Sequence, residues 1–106
     1  MSSTYETYLQ RAWSDSIGDV TIGDVKEAIE ETKLMDDEHG AFWVGLTING
    51  ENILEAHKDL SLIAVFEDAP ESEIKRQCKS WAEIEQFYSI LLTGNLEQLK
   101  AALSNS

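Results

Sequence analysis

"AFWVGLTINGENILEAH", residues 41–57, decides how the middle of this chain folds. Its first half alternates, with Phe42, Val44, Leu46 and Ile48 on one parity and Ala41, Trp43, Gly45 and Thr47 on the other. That is the period of a strand with one face against a core. Asn49-Gly50 is a strong hairpin signal, and the loop length sets the register. A two-residue loop would place Val44 opposite Glu55 and send Leu54 and Ala56 to the other face. A three-residue loop, Ile48-Asn49-Gly50 with Gly50 left-handed, instead pairs Val44 with Leu54 and Phe42 with Ala56. A slip of one residue turns every side chain over, so the apolar match selects the odd loop. Trp43 then faces away from Phe42 and Val44, and His57 falls near Ala41.

Downstream, residues 58–59 make a second turn before "LSLIAVFED" (60–68), apolar on both parities like a strand buried on both faces. "EIKRQCK" (73–79) reads as a fifth strand, with Ile74 and Cys78 facing one way; a turn of helix is the alternative. Ser80-Trp81-Ala82-Glu83 matches a capping box, in which Ser80 caps the first turn and Glu83 reaches back. Ile84, Phe87, Tyr88 and Leu91 carry that helix to Gly94. Asn95 can cap a last helix with Leu96, Leu99 and Leu103.

Upstream, "TYETYLQRAW" (4–13) has strand-favouring residues and partial alternation, fitting a first strand at a sheet edge. "SDSIGDVTIGDV" repeats Ile-Gly-Asp-Val but is too short for a repeat architecture, so it reads as a loop into a helix. Thr21 or Asp24 can serve as N-cap. Ile22, Val25, Ala28, Ile29, Thr32 and Met35 follow helical spacing to about Asp37, with Asp24, Glu27, Glu30 and Glu31 on the remaining arc. Gly40 fits a terminator, which puts the acids at 36–38 on an already negative helix end. The expected fold is α+β, over one domain spanning 1–106. It comprises an antiparallel four- to five-stranded sheet, one acidic helix after the first strand, and two C-terminal helices packed on the sheet.

Charge bounds the function. The chain carries 20 acidic and 8 basic residues, a formal −12. Residues 1–40 hold ten acids against three bases, residues 41–70 five against one, and residues 71–106 five against four. Such a surface repels nucleic acid and anionic lipid and steers basic partners inward. Acidity as a solubility device is the plainer explanation. No apolar stretch approaches the roughly 18 residues of a membrane span. One cysteine and no recognisable leader point to a cytoplasmic protein.

Candidate chemistry is sparse. Four consecutive helical residues, Asp36-Asp37-Glu38-His39, diverge by about 100° each and cannot converge on one ion. They also miss the calcium-loop spacing, so neither metal nor cofactor is expected. His39 and His57 could act as base and acid with Lys58 stabilising an anion, the pattern of a small nuclease or hydrolase. A site amid so much negative charge would repel that substrate. Cys78 among Lys75, Arg76 and Lys79 would be a low-pKa thiol only if exposed; otherwise it is a small core residue. A protein-binding surface is the remaining reading. Asp24, Glu27, Glu31, Asp36, Asp37 and Glu38 form an acidic band, with Trp43 as an aromatic anchor on the adjoining strand. The competing placement packs Trp43 under the C-terminal helices.

"RAWSDS" (11–16), "DDEHGAFWVGL" (36–46) and "KSWAEIEQFYSILLTGNLEQLKAAL" (79–103), taken together, give the chain its family likeness. In this order the sequence resembles the small immunity proteins encoded beside polymorphic or contact-dependent inhibition toxins of bacteria. The resemblance implies a non-enzyme that binds and neutralises a cognate toxin, with no catalytic residues to carry over. A nuclease toxin is the natural partner, since its phosphate-binding face is basic. An acidic DNA mimic or accessory scaffold is the related alternative. A monomer or weak dimer is expected, the latter through an unpaired edge at 4–13.

Overall fold

β3 (Ala41–Thr47) and β4 (Glu51–His57) pair antiparallel, with Val44 opposite Leu54, Phe42 opposite Ala56 and Ala41 opposite His57. This is the register of the odd loop. Gly50 and its conformation fall outside the described residues. The computed structural model describes residues 6–11, 16–35, 40–47, 51–66 and 69–104. The remaining elements are β1 (Glu6–Arg11), β2 (Ile17–Gly18), α1 (Ile22–Leu34), β5 (Ser61–Phe66), β6 (Ala69–Gln77), α2 (Trp81–Leu92) and α3 (Leu96–Ser104). The strands form one antiparallel sheet in the order β2-β1-β3-β4-β5-β6, so the chain is α+β.

Six strands replace the expected four or five. The added one, β2, pairs Tyr8 with Gly18 and Leu9 with Ile17. Asp19 N–H donates to Thr7 O and Val20 N–H to Thr7 Oγ1, which ties the loop to the sheet. β1 is therefore an inner strand over part of its length, not the edge that its sequence suggested. The strand expected at 73–79 begins earlier, at Ala69, ends at Gln77 before Cys78 and Lys79, and forms the far edge.

All three helices cover one face. Val25, Ala28 and Ile29 of α1, Ile84, Phe87, Tyr88 and Leu91 of α2, and Leu99 and Leu103 of α3 join a single core with Leu9, Phe42, Val44, Leu54 and Leu62. Each Leu or Phe so buried is worth about 1.5–3 kcal/mol relative to exposure. Tyr88 is wholly buried, stacks on Phe42 with ring centroids 5.2 Å apart, and donates its hydroxyl to Leu54 O at 2.8 Å. β5 has this core on one face only: Leu62, Ala64 and Phe66 are buried, whereas Ile63 and Val65 are half-buried on the other side. Its doubly apolar sequence thus does not mark burial on both faces.

The helix ends follow local chemistry with one exception. Thr21 caps α1 and Asp24 completes its capping box. Ser80 caps α2, but Glu83 reaches one residue further back, to Lys79 N–H at 2.7 Å, and also holds Arg76. Those bonds keep its carboxyl below the usual glutamate range. Gly94, left-handed at φ 81°, ends α2, and Asn95 Oδ1 accepts from Gln98 N–H in the first turn of α3. The exception is α1, which stops at Leu34 with Met35 already extended. The Lys58 ammonium donates to Met35 O and Lys58 N–H to Gly40 O, so the β4–β5 turn anchors the departing chain. Gly40 is thus not the terminator of this helix.

Candidate functional site

The acidic band separates into residues with different work to do. Asp24 accepts Thr21 N–H at 2.9 Å and is committed to the start of α1. Glu31 is bonded to Arg11 of β1 at 2.6 Å, across the helix–sheet junction. Glu27 is exposed on the outer side, and nearby Glu30 pairs with Lys33 at 2.9 Å. Between α1 and α2 runs a shallow groove lined by Lys26, Lys33, Glu30 and Glu85 around Ile29 and Trp81. Its charges are balanced. Asp36, Asp37, Glu38 and His39 fall outside the described residues. The expectations that rest on their helical placement fall outside the described residues with them; α1 itself ends at Leu34.

Trp43 lies on the opposite side of the sheet from α1. It alternates with core residues Phe42 and Val44 and is half-buried on the face that no described helix covers. The structure therefore does not pack Trp43 under the C-terminal helices, nor beside the acidic helix. Across that open face it sits directly opposite Gln10 and Glu55, and Glu55 sits opposite Ile63. One row over, Tyr8 faces Gly45, which faces Ile53, which faces Val65. Tyr8, Trp43, Ile53, Ile63 and Val65 are each half-buried, and they make an apolar stripe interrupted by Glu55.

Gly45 is what lets Tyr8 lie flat. The tyrosine ring occupies the volume where a side chain at 45 would begin: a Cβ there would meet Tyr8 Cε1 at 2.1 Å. Burial against the strand pushes the Tyr8 phenol up, and the charge of Glu51 and a hydrogen bond to its carboxylate add to the shift. His57 Nε2 pairs with Glu55 on the same face. Lys58, a candidate anion stabiliser by sequence, is instead engaged with Met35 O.

One chemical possibility recedes. Cys78 is 4% exposed; burial pushes its thiol up, Glu83 adds to this, and Arg76 only partly opposes it. That is a core thiol rather than an activated nucleophile. Among the described residues, no three His, Cys, Asp or Glu side chains gather in a way that could hold a metal ion. Likewise, no described helix is long and apolar enough to cross a membrane. The open-face stripe was half legible in sequence: parity separates Trp43 from the core, but only the shared location of the three described helices shows that none of them covers its face.

Compared with known proteins, the chain matches no family model, no curated sequence and no solved structure.

Proposed function

We propose that this protein is a non-catalytic inhibitor that binds a cognate bacterial toxin of basic surface, of the nuclease kind, and so neutralises it. The observation that carries the reading is the charge: −12 over 106 residues, most of it in the first two-thirds of the chain. A nuclease holds phosphates with lysine and arginine, so an acidic surface can occupy that ground in place of nucleic acid. Long-range attraction raises association rates by roughly 10- to 10³-fold, which matters where an unbound toxin molecule does harm. Supporting this, exposed carboxylates occur on both sides of the sheet, Glu27 and Glu30 on α1 and Glu6 and Glu51 on the strands.

The test is affinity capture of the tagged chain from its source cells, followed by co-expression with the captured protein. The expected partner is basic, binds one to one and is released between about 0.1 and 1 M salt, as screening shortens from about 10 to 3 Å. Co-expression should restore growth to cells producing that partner. An acidic partner, or growth that stays arrested despite complex formation, refutes the reading.

A further inference from the structure

We infer that the docking surface for a basic partner is the open face of the sheet, and that the partner presents an arginine over Trp43. This rests on the reading of the protein as a binder of a basic toxin, and it names the surface and the contacting chemistry.

Three observations single out that face. First, its residues are not those that solvation alone requires. An antiparallel sheet covered on one side alternates apolar inward and polar outward. Here Trp43, Tyr8, Ile53, Ile63 and Val65 all stand outward, with Ile53 directly opposite Val65, Gly45 between Tyr8 and Ile53, and Glu55 between Trp43 and Ile63. Second, its charge is of one sign where the aromatics lie. Among the described residues, the open sides of β1, β3 and β4 carry Glu6, Glu51 and Glu55 but no lysine or arginine; the imidazole of His57, paired with Glu55, is the titratable base there, and an arginine would take its place on that carboxylate. The lysine on this face, Lys75 on β6, lies 3.6 Å from Glu73. Third, three of the four acids on the rival α1 surface are already engaged: Glu30 holds Lys33, Glu31 holds Arg11, and Asp24 holds the helix cap, which leaves Glu27 exposed.

Together these features fix the chemistry of the occupant. Trp43 and Glu55 are direct cross-strand neighbours. A planar guanidinium can stack on the indole while donating to the adjacent carboxylate, which an ammonium matches less well. A second copy of this chain is the wrong occupant, because face-to-face packing would oppose Glu51 and Glu55 with their own duplicates.

Titration of the ¹⁵N-labelled full chain with blocked hexa-arginine at low salt tests the assignment. The Trp43 indole N–H and the amides of Gly45, Ile53 and Glu55 should move most. Trp43→Ala should weaken binding about tenfold and Glu55→Gln about threefold, with hexa-lysine several-fold weaker than hexa-arginine. Glu27→Gln on α1 should change binding less than about twofold. Trp43→Phe, which retains an aromatic ring, covers the case in which the alanine variant unfolds and should weaken binding less. The assignment is overturned if hexa-arginine does not bind, if the shifts centre on α1, or if Glu27→Gln and Trp43→Ala weaken binding equally. It is also overturned if the same face shifts with protein concentration alone, since the occupant is then a second copy. A captured toxin whose binding ignores Trp43→Ala removes this assignment but leaves the inhibitor reading intact. Growth that is not rescued removes the inhibitor reading but leaves the titration to decide the face.

Discussion

Gly45→Ala should destabilise the protein, and the same change should stabilise it once Tyr8 is gone. A Cβ at 45 would lie 2.1, 2.3 and 2.6 Å from Cε1, Cζ and Oη of Tyr8. Carbon atoms in contact prefer about 3.5–4.0 Å, so one side must move. The Gly45 backbone is held by β1 on one side and β4 on the other, whereas the Tyr8 ring lies at the surface and can swing outward. Displacing it gives up the ring's packing on the strand and its bond to Glu51. Overpacking of this kind costs about 1–3 kcal/mol. Against that, replacing a strand glycine with alanine recovers about 0.5–1 kcal/mol of backbone entropy. The net effect in the wild-type background is a loss centred on about 1 kcal/mol and no larger than about 2.5 kcal/mol; each kcal/mol lowers the melting temperature by roughly 4–5 °C for a domain of this size. In a Tyr8→Ala background the clash is absent and only the entropic gain of about 0.5–1 kcal/mol remains. Urea unfolding of all four proteins, followed by tryptophan fluorescence, measures the cycle. If Gly45→Ala is neutral or stabilising with Tyr8 present, the ring does not lie over Gly45 and the account of the open face fails.

Three further outcomes can be measured on the same material. Thr21→Ala removes the acceptor for Asp24 N–H and should cost about 1 kcal/mol in thermal melts, while Thr21→Ser should stay close to wild type. Tyr88→Phe should cost about 1 kcal/mol near neutral pH, because the hydrogen bond to Leu54 O is lost. It should also flatten the alkaline limb. Burial holds the Tyr88 phenol well above its ordinary value, so the folded chain resists ionisation while the unfolded chain ionises near about 10. The wild type is therefore fully stabilised below about pH 10 and loses stability as pH rises above it. Alkaline curves of equal slope for the two proteins would count against this. Finally, Cys78 should react with a thiol reagent about 100-fold more slowly in the native than in the unfolded protein, since it must wait for local opening.

The hairpin was legible because two independent signals agreed, Asn49-Gly50 in the loop and the apolar match of Val44 with Leu54. The caps at Thr21, Ser80 and Asn95 were legible for a similar reason, since each is decided within four residues. β2 was not. Two residues carry no periodicity, and their pairing depends on Thr7, more than ten positions away, holding Asp19 and Val20. The end of α1 was also hidden: apolar spacing continues to Met35, but Lys58 from a distant turn claims the Met35 carbonyl. At the candidate site, acidity was visible while occupancy was not. Nothing local in Glu31 announces Arg11, and nothing local in Asp24 separates a cap from a contact.

Placing every helix on one face has a consequence for how this chain can carry its charge. The core side takes the large apolar residues, and its buried polar residues Thr32 and Asn52 are bonded: Thr32 Oγ1 donates to Ala28 O and Asn52 Nδ2 to Leu46 O. Stability is thus carried by a surface remote from the carboxylates of the strands. Those carboxylates stand beside an apolar stripe that the core does not use. A charged residue beside such a stripe acts differently from one on a fully solvated helix. When a partner covers the stripe, water leaves, the local dielectric falls, and the charge on Glu51, bonded to the neutral Tyr8 phenol, or on Glu55, paired only with the imidazole of His57, becomes costly unless the partner supplies a cation. The same side chains that attract basic surfaces at a distance thus reject neutral or acidic ones on contact. On the proposed reading, selectivity and speed of association come from one arrangement, and the fold can carry it because its cohesion lies on the other side of the sheet.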